Sequence, residues 1–430
     1  MRLHNHLHII NAYVVDPSQE FEGKAEILIE DGKIKAFASK GKIKNTKDVE
    51  VLDAEGMYVF PGLIDMHTHL REPGFEHKET IRTGTLAALR GGFTTVCAMP
   101  NTNPVNDNAG ITEFILKKAE REGNANVLPI GAITKGQKGE ELAELYMMRS
   151  AGCVAFSDDG HPVASSLIMR RALEYARGFD ALIISHAEDP ELSEGGVMNE
   201  GLLSISMGLK GVPSVSEEVF IYRDLALAEY TGARLHIAHV STQGSVRIIR
   251  QAKERGVNIT AETCPHYFSL TEDAVANYNT NAKVNPPLRG RKDVLAIKEG
   301  LKDGTIDVIA TDHAPHSLEE KTREFDNAPF GISGLETALS LSMRLVEEGT
   351  LSLTDLISKL TVKPANILQI NKGSLREGAD AELCVFDPEK EYVLNSSSLL
   401  SRGKNTPFDG HKMKGSVIAT VFKGSIHKWQ

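Results

Sequence analysis

Short apolar runs recur through the middle of the chain, and a helix-length segment separates most of them from the next. The runs that resemble strands are GLIDMHTHL (62–70), FTTVCAMP (93–100), VLPIGAI (127–133), CVAFSDDG (153–160), ALIISHAED (181–189), RLHIAHVST (234–242), VNITAETC (257–264) and DVIATDHAPH (307–316). Regular alternation of strand and helix is typical of a parallel sheet with crossover helices. The pattern therefore predicts an α/β fold.

The two ends of the chain differ from this middle part, because their apolar and polar residues alternate with the period of a strand. The runs AEILIEDGKIKAF near the start and GSVIATVFKGSIHKW near the end show this alternation. Asp31-Gly32 between two such runs predicts a hairpin turn. We expect residues 1–58 and 372–430 to form one small composite β-sandwich beside a barrel of residues 59–371.

Composition narrows the class of protein. The chain has 430 residues, of which 41% are hydrophobic and 25% charged, with a net charge of −10, so an ordinary globular protein without nucleic-acid affinity is expected. Cys97, Cys153, Cys264 and Cys384 have no paired spacing, which favours buried reduced thiols. No run is long enough to cross a membrane, and we expect a cytoplasmic protein.

Histidines and aspartates stand where the apolar runs end. His67 and His69 are two positions apart, so in an extended strand they share one face. Later runs end in Asp158 and Asp159, in His186, in His239 and in Asp312, His313 and His316. Polar groups at the carboxyl ends of successive parallel strands indicate a (β/α)8 TIM-type barrel, and imidazoles with carboxylates are ligands that suit zinc. The spacing alone does not choose between Asp158 and Asp159.

Several other positions have two interpretations. Asn101 beside two prolines is either a turn residue or a site residue, and His266 is either a ligand or a loop residue outside the site. Asn285 lies on a loop stiffened by prolines. The segment around 323–334 is either a mobile lid or a plain connection. The alternating histidines near the start, His4, His6 and His8, are expected on a solvent-facing strand rather than around a metal.

With these residues set out, the chain resembles the metal-dependent amidohydrolase superfamily and, within it, the type I dihydroorotases of the longer bacterial class. The motifs that carry the resemblance are HTHLREPG, AMPNT, FSDDG, VNPPLR and ATDHAPH. The resemblance implies a zinc-dependent enzyme of pyrimidine biosynthesis that reversibly opens the ring of dihydroorotate. One or two Zn²⁺ ions are expected. A homodimer and an association with aspartate transcarbamoylase are expectations that the sequence leaves open.

The resemblance also assigns roles to residues. It implies that Asp312 is the catalytic base, that the metal ligands are His67, His69, Asp159, His186, His239 and Asp312, and that substrate is bound by His69, Arg71, Asn101, Asn285, His316 and the backbone of Phe330 and Gly331. Hydantoinases, allantoinases and dihydropyrimidinases are similar, but they use a carboxylated lysine where this chain has FSDD. Another alternative is a non-catalytic relative that serves as a partner of aspartate transcarbamoylase; lost ligands would indicate it, and none is lost.

Overall fold

The computed structural model describes residues 6–39, 41, 43 and 49–429. Its strands are β1 (His6–Asp16), β2 (Phe21–Glu30), β3 (Lys33–Ser39), β4 (Glu50–Asp53), β5 (Tyr58–Pro61), β6 (Leu63–Thr68), β7 (Phe93–Ala98), β8 (Asn126–Gly131), β9 (Ala155–Ser157), β10 (Leu182–Ser185), β11 (Met198–Asn199), β12 (Gly211–Val212), β13 (Arg234–Ile237), β14 (Ile259–Thr263), β15 (Val308–Ile309), β16 (Leu383–Val393), β17 (Lys412–Phe422) and β18 (Ser425–Lys428).

The α-helices are α1 (Ile81–Arg90), α2 (Ala109–Glu122), α3 (Leu145–Ala151), α4 (Ser166–Arg177), α5 (Pro190–Ser193), α6 (Leu202–Met207), α7 (Val215–Thr231), α8 (Gln243–Glu254), α9 (Pro265–Ser269), α10 (Arg291–Lys302), α11 (Leu318–Lys321), α12 (Ala338–Glu347), α13 (Leu353–Leu360) and α14 (Val362–Leu368). Short 3-10 turns cover Pro17–Gln19, Lys135–Gln137, Glu272–Tyr278, Thr280–Ala282 and Ser396–Ser398.

Eight of the strands form the predicted barrel. They pair in the order β15-β14-β13-β10-β9-β8-β7-β6, and every pairing is parallel. A parallel bridge between Thr68 and His313 joins the two ends of this sheet. The long helices α1, α2, α4, α7, α8 and α10 each follow a barrel strand and turn an apolar face to the sheet, which confirms the (β/α)8 prediction.

Strands from both ends of the chain share a second sheet. Its order is β18-β17-β16-β5-β1-β2-β3, with β4 also paired to β1. The hairpin at Asp31-Gly32 has positive φ angles of 48° and 74° and is confirmed. The turn at Gly32 abuts the β17–β18 turn, since a Cβ placed on Gly424 would lie 2.8 Å from the Gly32 Cα. The predicted composite β-sandwich is therefore confirmed; its domain boundaries stay a prediction.

One prediction for this sheet is wrong. His8 is buried at 5% exposure, and its Nε2 lies 3.4 Å from Glu26 Oε2 on β2. β2 pairs with one edge of β1, and β4 and β5 pair with the other. The strand is thus interior rather than solvent-facing. His6 is half-buried on the same strand, and His4 lies outside the described residues. All four cysteines are buried and unpaired, as expected.

Candidate metal centre and substrate pocket

Six predicted ligands come together at the carboxyl end of the barrel. They lie at or just beyond the ends of β6, β9, β10, β13 and β15, and all are buried: His67, His69, Asp159, His186, His239 and Asp312. Ligand atoms of His67, Asp159 and His239 lie within 4.8 Å of one another, and those of His67, His69 and Asp312 form a second such group. Parallel strands end at one edge of the barrel, so residues far apart in sequence meet there.

Asp159 is the centre of the cluster. Its Oδ1 lies 3.3 Å from His67 Nε2 and 3.5 Å from both His239 Nε2 and His186 Nδ1, while its Oδ2 lies 3.4 Å from His69 Nε2. Asp158 faces another direction: its carboxylate accepts hydrogen bonds from the backbone N–H groups of Ile133 and Thr134. The structure therefore separates the two neighbouring aspartates, which the sequence pattern did not.

The electrostatics of the cluster suit a bound cation. Burial alone would raise the pKa of Asp159, but the surrounding imidazoles, His67 foremost, hold it well below its usual value. Likewise burial opposes the charged form of Asp312, yet His67 and His69 keep its pKa low. His67 Nε2 and Asp159 Oδ1 are buried without a hydrogen-bond partner in the described chain. Two carboxylates and four imidazoles, with two of their ligand atoms free of hydrogen bonds, fit a divalent metal.

The backbone at the site is unusual. Arg71, His239 and Asp312 have φ angles of 61°, 35° and 46°, in the left-handed region that residues other than glycine seldom occupy. Conformations of this kind cluster at functional sites, where surrounding contacts hold them in place. Three of them around one group of ligands support a functional role for the pocket.

Two carboxylates that contact the ligating histidines, Glu262 and Glu188, were not predicted from the sequence. Glu262, buried on β14, accepts hydrogen bonds from His67 Nδ1 at 2.7 Å and from His236 Nε2 at 3.1 Å. Glu188 lies 3.2 Å from His186 Nε2 and accepts a hydrogen bond from Asn285 Nδ2 at 2.6 Å. A carboxylate that orients a ligating histidine is common around metals. The available signal was a charged residue inside an apolar strand, as Glu262 is in ITAET.

Three of the predicted substrate residues, Asn101, Arg71 and His316, lie beside the ligand cluster. Asn101 Oδ1 accepts a hydrogen bond from His69 Nδ1 at 2.9 Å. Arg71 Nη2 lies 3.3 Å from His316 Nε2, and Arg71 Nε donates to the Pro315 carbonyl. Burial lowers the pKa of Arg71 to about 10, which leaves it a cation at neutral pH. Arg71 is thus a buried positive group beside the ligand cluster.

His316 contacts three groups around the site: Arg71, Lys78 and the Phe330 carbonyl. Burial, with the charges of Arg71 and Lys78, lowers its pKa, so its ring is neutral. A neutral ring can donate from Nε2 to the Phe330 carbonyl at 2.8 Å and accept at Nδ1 from Lys78 Nζ at 3.3 Å. Lys78 was not singled out in the sequence. Its ion pair with Glu320, at 2.9 Å, holds it there.

Other predicted positions have protein partners already. Gly331 donates its N–H to the Lys283 carbonyl and accepts from Asn405 Nδ2, and a Cβ there would lie 2.5 Å from the Ala314 carbonyl oxygen. Asn285 faces Glu188. His266 is buried on α9 with its Nε2 unpaired in the described chain. Neither His266 nor His186 belongs to the two ligand groups, but His186 contacts Asp159 and His266 has no such contact in the described chain. Substrate contacts by Gly331 and Asn285 stay predictions.

A parallel barrel with four imidazoles and two carboxylates at its strand ends, joined to a β-sandwich, defines the chain as a member of the amidohydrolase superfamily of metal-dependent hydrolases. Among solved structures it is similar to an L-hydantoinase (dihydropyrimidinase) from Arthrobacter aurescens, with a TM-score of 0.87 and 26% identity over 98% of this chain and 95% of that one. A dihydropyrimidinase from Brevibacillus agri matches with a TM-score of 0.84 and 25% identity over 98% of this chain and 94% of that one.

Sequence comparison is more specific. The family model described as dihydro-orotase-like matches residues 56–245. The dihydroorotase of Syntrophus aciditrophicus is 55% identical over 96% of this chain and 97% of that protein, and the dihydroorotase of Syntrophotalea carbinolica is 56% identical over 97% and 98%. The chain belongs to the dihydroorotase family. In the part of the chain that the structure describes, no helix is long and apolar enough to cross a membrane.

Proposed function

We propose that this protein catalyses the reversible hydrolysis of the cyclic amide of (S)-dihydroorotate to N-carbamoyl-L-aspartate, a step of pyrimidine biosynthesis. The observation that carries the proposal is the position of Arg71: a buried cation interacts with the charges of Asp312 and Asp159 in the ligand cluster of a chain of the dihydroorotase family. Dihydroorotate bears a carboxylate on the ring that is opened, so its recognition needs positive charge at this place.

The ligand cluster is proposed to hold zinc. His67, His69, Asp159, His186, His239 and Asp312 would bind one or two Zn²⁺ ions, since the set is limited to nitrogen and oxygen donors. A bound divalent metal would supply Lewis-acid polarisation of the amide carbonyl and lower the pKa of the attacking water.

The protein's own groups would do the remaining work. Asp312 would take a proton from the attacking water and return it to the leaving ring nitrogen. The position of its Oδ1 in the cluster, 3.1 Å from His69 Nε2, supports this role. The planar guanidinium of Arg71 can pair with the ring carboxylate through two parallel hydrogen bonds. Asn101 and His316 would complete the carboxylate site, and the backbone at Phe330 and Gly331 would bind the rest of the ring.

A second candidate is hydrolysis of hydantoin or dihydropyrimidine rings, because the solved structures that match are hydantoinases and dihydropyrimidinases. These substrates lack a ring carboxylate, so Arg71 would have no partner. The position that ends β9 also favours dihydroorotate, since it is Asp159 rather than a lysine. A non-catalytic role as a partner of aspartate transcarbamoylase is disfavoured because every predicted ligand is retained.

One experiment tests the proposal. The metal content of the purified protein is measured, and hydrolysis of dihydroorotate and of hydantoin is assayed before and after metal removal. We expect zinc, turnover of dihydroorotate in clear excess over hydantoin, and loss and recovery of turnover as zinc is removed and restored. Undiminished turnover after complete removal, or preference for hydantoin, would refute it. Size-exclusion chromatography with and without aspartate transcarbamoylase tests the proposed dimer and partner, and fractionation of cells tests the cytoplasmic location.

A further inference from the structure

The segment that borders the pocket between α11 and α12 is held by lysines. The glycines and the proline of residues 323–334 are compatible with a mobile lid. However, several backbone carbonyls of this segment accept hydrogen bonds from lysine side chains. Lys283 Nζ donates to the carbonyls of Phe325 at 2.7 Å, Ala328 at 2.8 Å and Asp326 at 3.1 Å. An ammonium has three N–H donors, so this one is saturated by a single stretch of backbone.

A second lysine continues the pattern. Lys321 Nζ donates to the carbonyl of Pro329 at 2.9 Å. Both side chains are almost fully buried, at 2% exposure for Lys283 and 4% for Lys321. Four of the five carbonyls from Phe325 to Pro329 therefore accept from the Nζ of a buried lysine. Burial lowers the pKa of Lys321 to about 7, so the buried charge is carried mainly by Lys283.

In the described chain, both lysines donate only to backbone carbonyls, and neither forms an ion pair with a carboxylate. The charge of Lys283 is balanced by carbonyl dipoles and by the faces of two aromatic rings, with Nζ 4.6 Å from the ring centre of Phe330 and 5.3 Å from that of Phe325. Burying an ammonium costs free energy unless every donor is satisfied. Those acceptors converge only when the segment adopts this one conformation, so the buried charge selects that conformation.

We propose that Lys283 and Lys321 are positioning residues that hold residues 325–331 in a preformed substrate-binding conformation. The segment ends at Phe330, whose carbonyl accepts from His316, and at Gly331, whose N–H donates to the carbonyl of Lys283 itself. The Phe330 N–H donates to no group in the described chain, so it is a free donor at the end of the held segment, beside His316, that could bind substrate. This part of the inference rests on the proposed function.

The test compares three lysine-to-methionine variants, which keep the apolar stem and remove the ammonium. Lys283→Met and Lys321→Met remove the two contacts with the segment. Lys359→Met is the matched control, because Lys359 is also buried, at 3% exposure, and donates to the Ile306 carbonyl outside the pocket. Hydrogen exchange of the peptide that contains residues 325–331 is measured without substrate, and KM and kcat are measured with dihydroorotate.

In Lys283→Met, exchange in this peptide should rise by about tenfold or more, the effect of losing a hydrogen bond to a charged group. Lys321→Met, which loses one contact, should show a smaller rise, and Lys359→Met none. KM for dihydroorotate should rise by about tenfold in Lys283→Met with kcat changed by less than about threefold, the result expected when a binding segment must be ordered at each encounter.

Unchanged exchange in both Lys283→Met and Lys321→Met, or an equal rise in Lys359→Met, would overturn the positioning role. Faster exchange with an unchanged KM would overturn the link to substrate. If Lys283→Met does not fold, Lys321→Met alone decides the first point. The exchange measurement needs no turnover, so a chain that failed to hydrolyse dihydroorotate would refute the proposed function and leave the exchange result to be judged separately.

Discussion

Glu262 is the carboxylate whose replacement should reveal most about the ligand cluster. It is buried, and it accepts hydrogen bonds from His67 and His236. Burial opposes its charge, but the two imidazoles lower its pKa to about 2, so it is ionised at neutral pH. The charge fixes the Nδ1–H tautomer of His67, which leaves Nε2 free to face the cluster. Glu262→Gln keeps the volume and removes this charge.

The expected loss of zinc affinity in Glu262→Gln follows from the hydrogen bonds that residue 262 makes with His67 and His236. If the glutamine oxygen stays on His67 Nδ1, the amide nitrogen faces His236 Nε2, whose ring must then accept there and donate from Nδ1 to Thr260 Oγ1, 2.7 Å away. In that case the hydrogen bond from His67 Nδ1 loses its charged acceptor, which weakens it by roughly 1 kcal/mol. If the ring of His236 does not change tautomer, a buried donor is left unpaired at about 1–3 kcal/mol. Zinc affinity should fall by about tenfold to a hundredfold.

The measurement is a competition titration of zinc against a chromophoric chelator at neutral pH. Glu382→Gln is the matched control: Glu382 is also buried, but it accepts from Asn126 and Lys372 near the start of β8, at the opposite end of the barrel from the ligands. It should leave zinc affinity within about twofold, inside the usual range for a site far from the change. A Glu262→Gln protein with parental affinity, or an equal loss in both variants, would refute the reasoning.

Three further changes have expected outcomes. Asp312→Asn should lower kcat by at least about 10²–10⁴-fold while calorimetry still detects binding of dihydroorotate, and a variant that keeps most of its kcat would remove Asp312 from its role. Arg71→Met should lower kcat/KM for dihydroorotate by about 10–100-fold but leave residual hydantoin turnover unchanged, and equal losses on both substrates would count against the carboxylate contact. Burial lowers the pKa of Lys359 to about 8 from 10.5. Between these values the unfolded chain binds more protons, so the stability of the parent relative to Lys359→Met should rise from pH 8 to pH 10.5 by up to ~3 kcal/mol in matched thermal unfolding scans, and a flat difference would contradict the shift.

The barrel and its ligands could be predicted because two simple regularities coincide in the sequence. Apolar runs mark strands, and in a parallel barrel every strand ends at the same edge, so the residue after each run is near the others whatever the length between them. His67 and Asp312 are separated by most of the barrel in sequence and meet for this reason. Neither regularity needs knowledge of side-chain directions.

The parts that could not be predicted all depend on side-chain direction or on distant partners. Asp158 and Asp159 are neighbours with the same chemistry, and only the turn after β9 decides which one faces the cluster. His8 is buried beside Glu26, on a strand that pairs with β4 and β5 from later in the chain. The segment at 323–334 has the composition of a lid, but its carbonyls are satisfied by Lys283, which precedes it by about forty residues in sequence.

The hydrogen bonds of Asp65 contribute both to closure of the barrel and to the geometry of the site. Its buried carboxylate accepts from the N–H of His67 and from the N–H and hydroxyl of Thr311, at 3.1, 3.1 and 2.6 Å. His67 is a predicted ligand on β6, and Thr311 lies just beyond β15 and precedes the predicted ligand Asp312. β6 and β15 are the two strands at the ends of the barrel sheet. Asp65 therefore joins β6 to the segment after β15, and the same hydrogen bonds hold His67 near Asp312. Burial raises the pKa of Asp65 to about 6, which shows that these hydrogen bonds only partly offset its desolvation. Asp65 thus stays buried at a cost while its hydrogen bonds join the backbone of the ligand His67 to that of Thr311, the residue before Asp312.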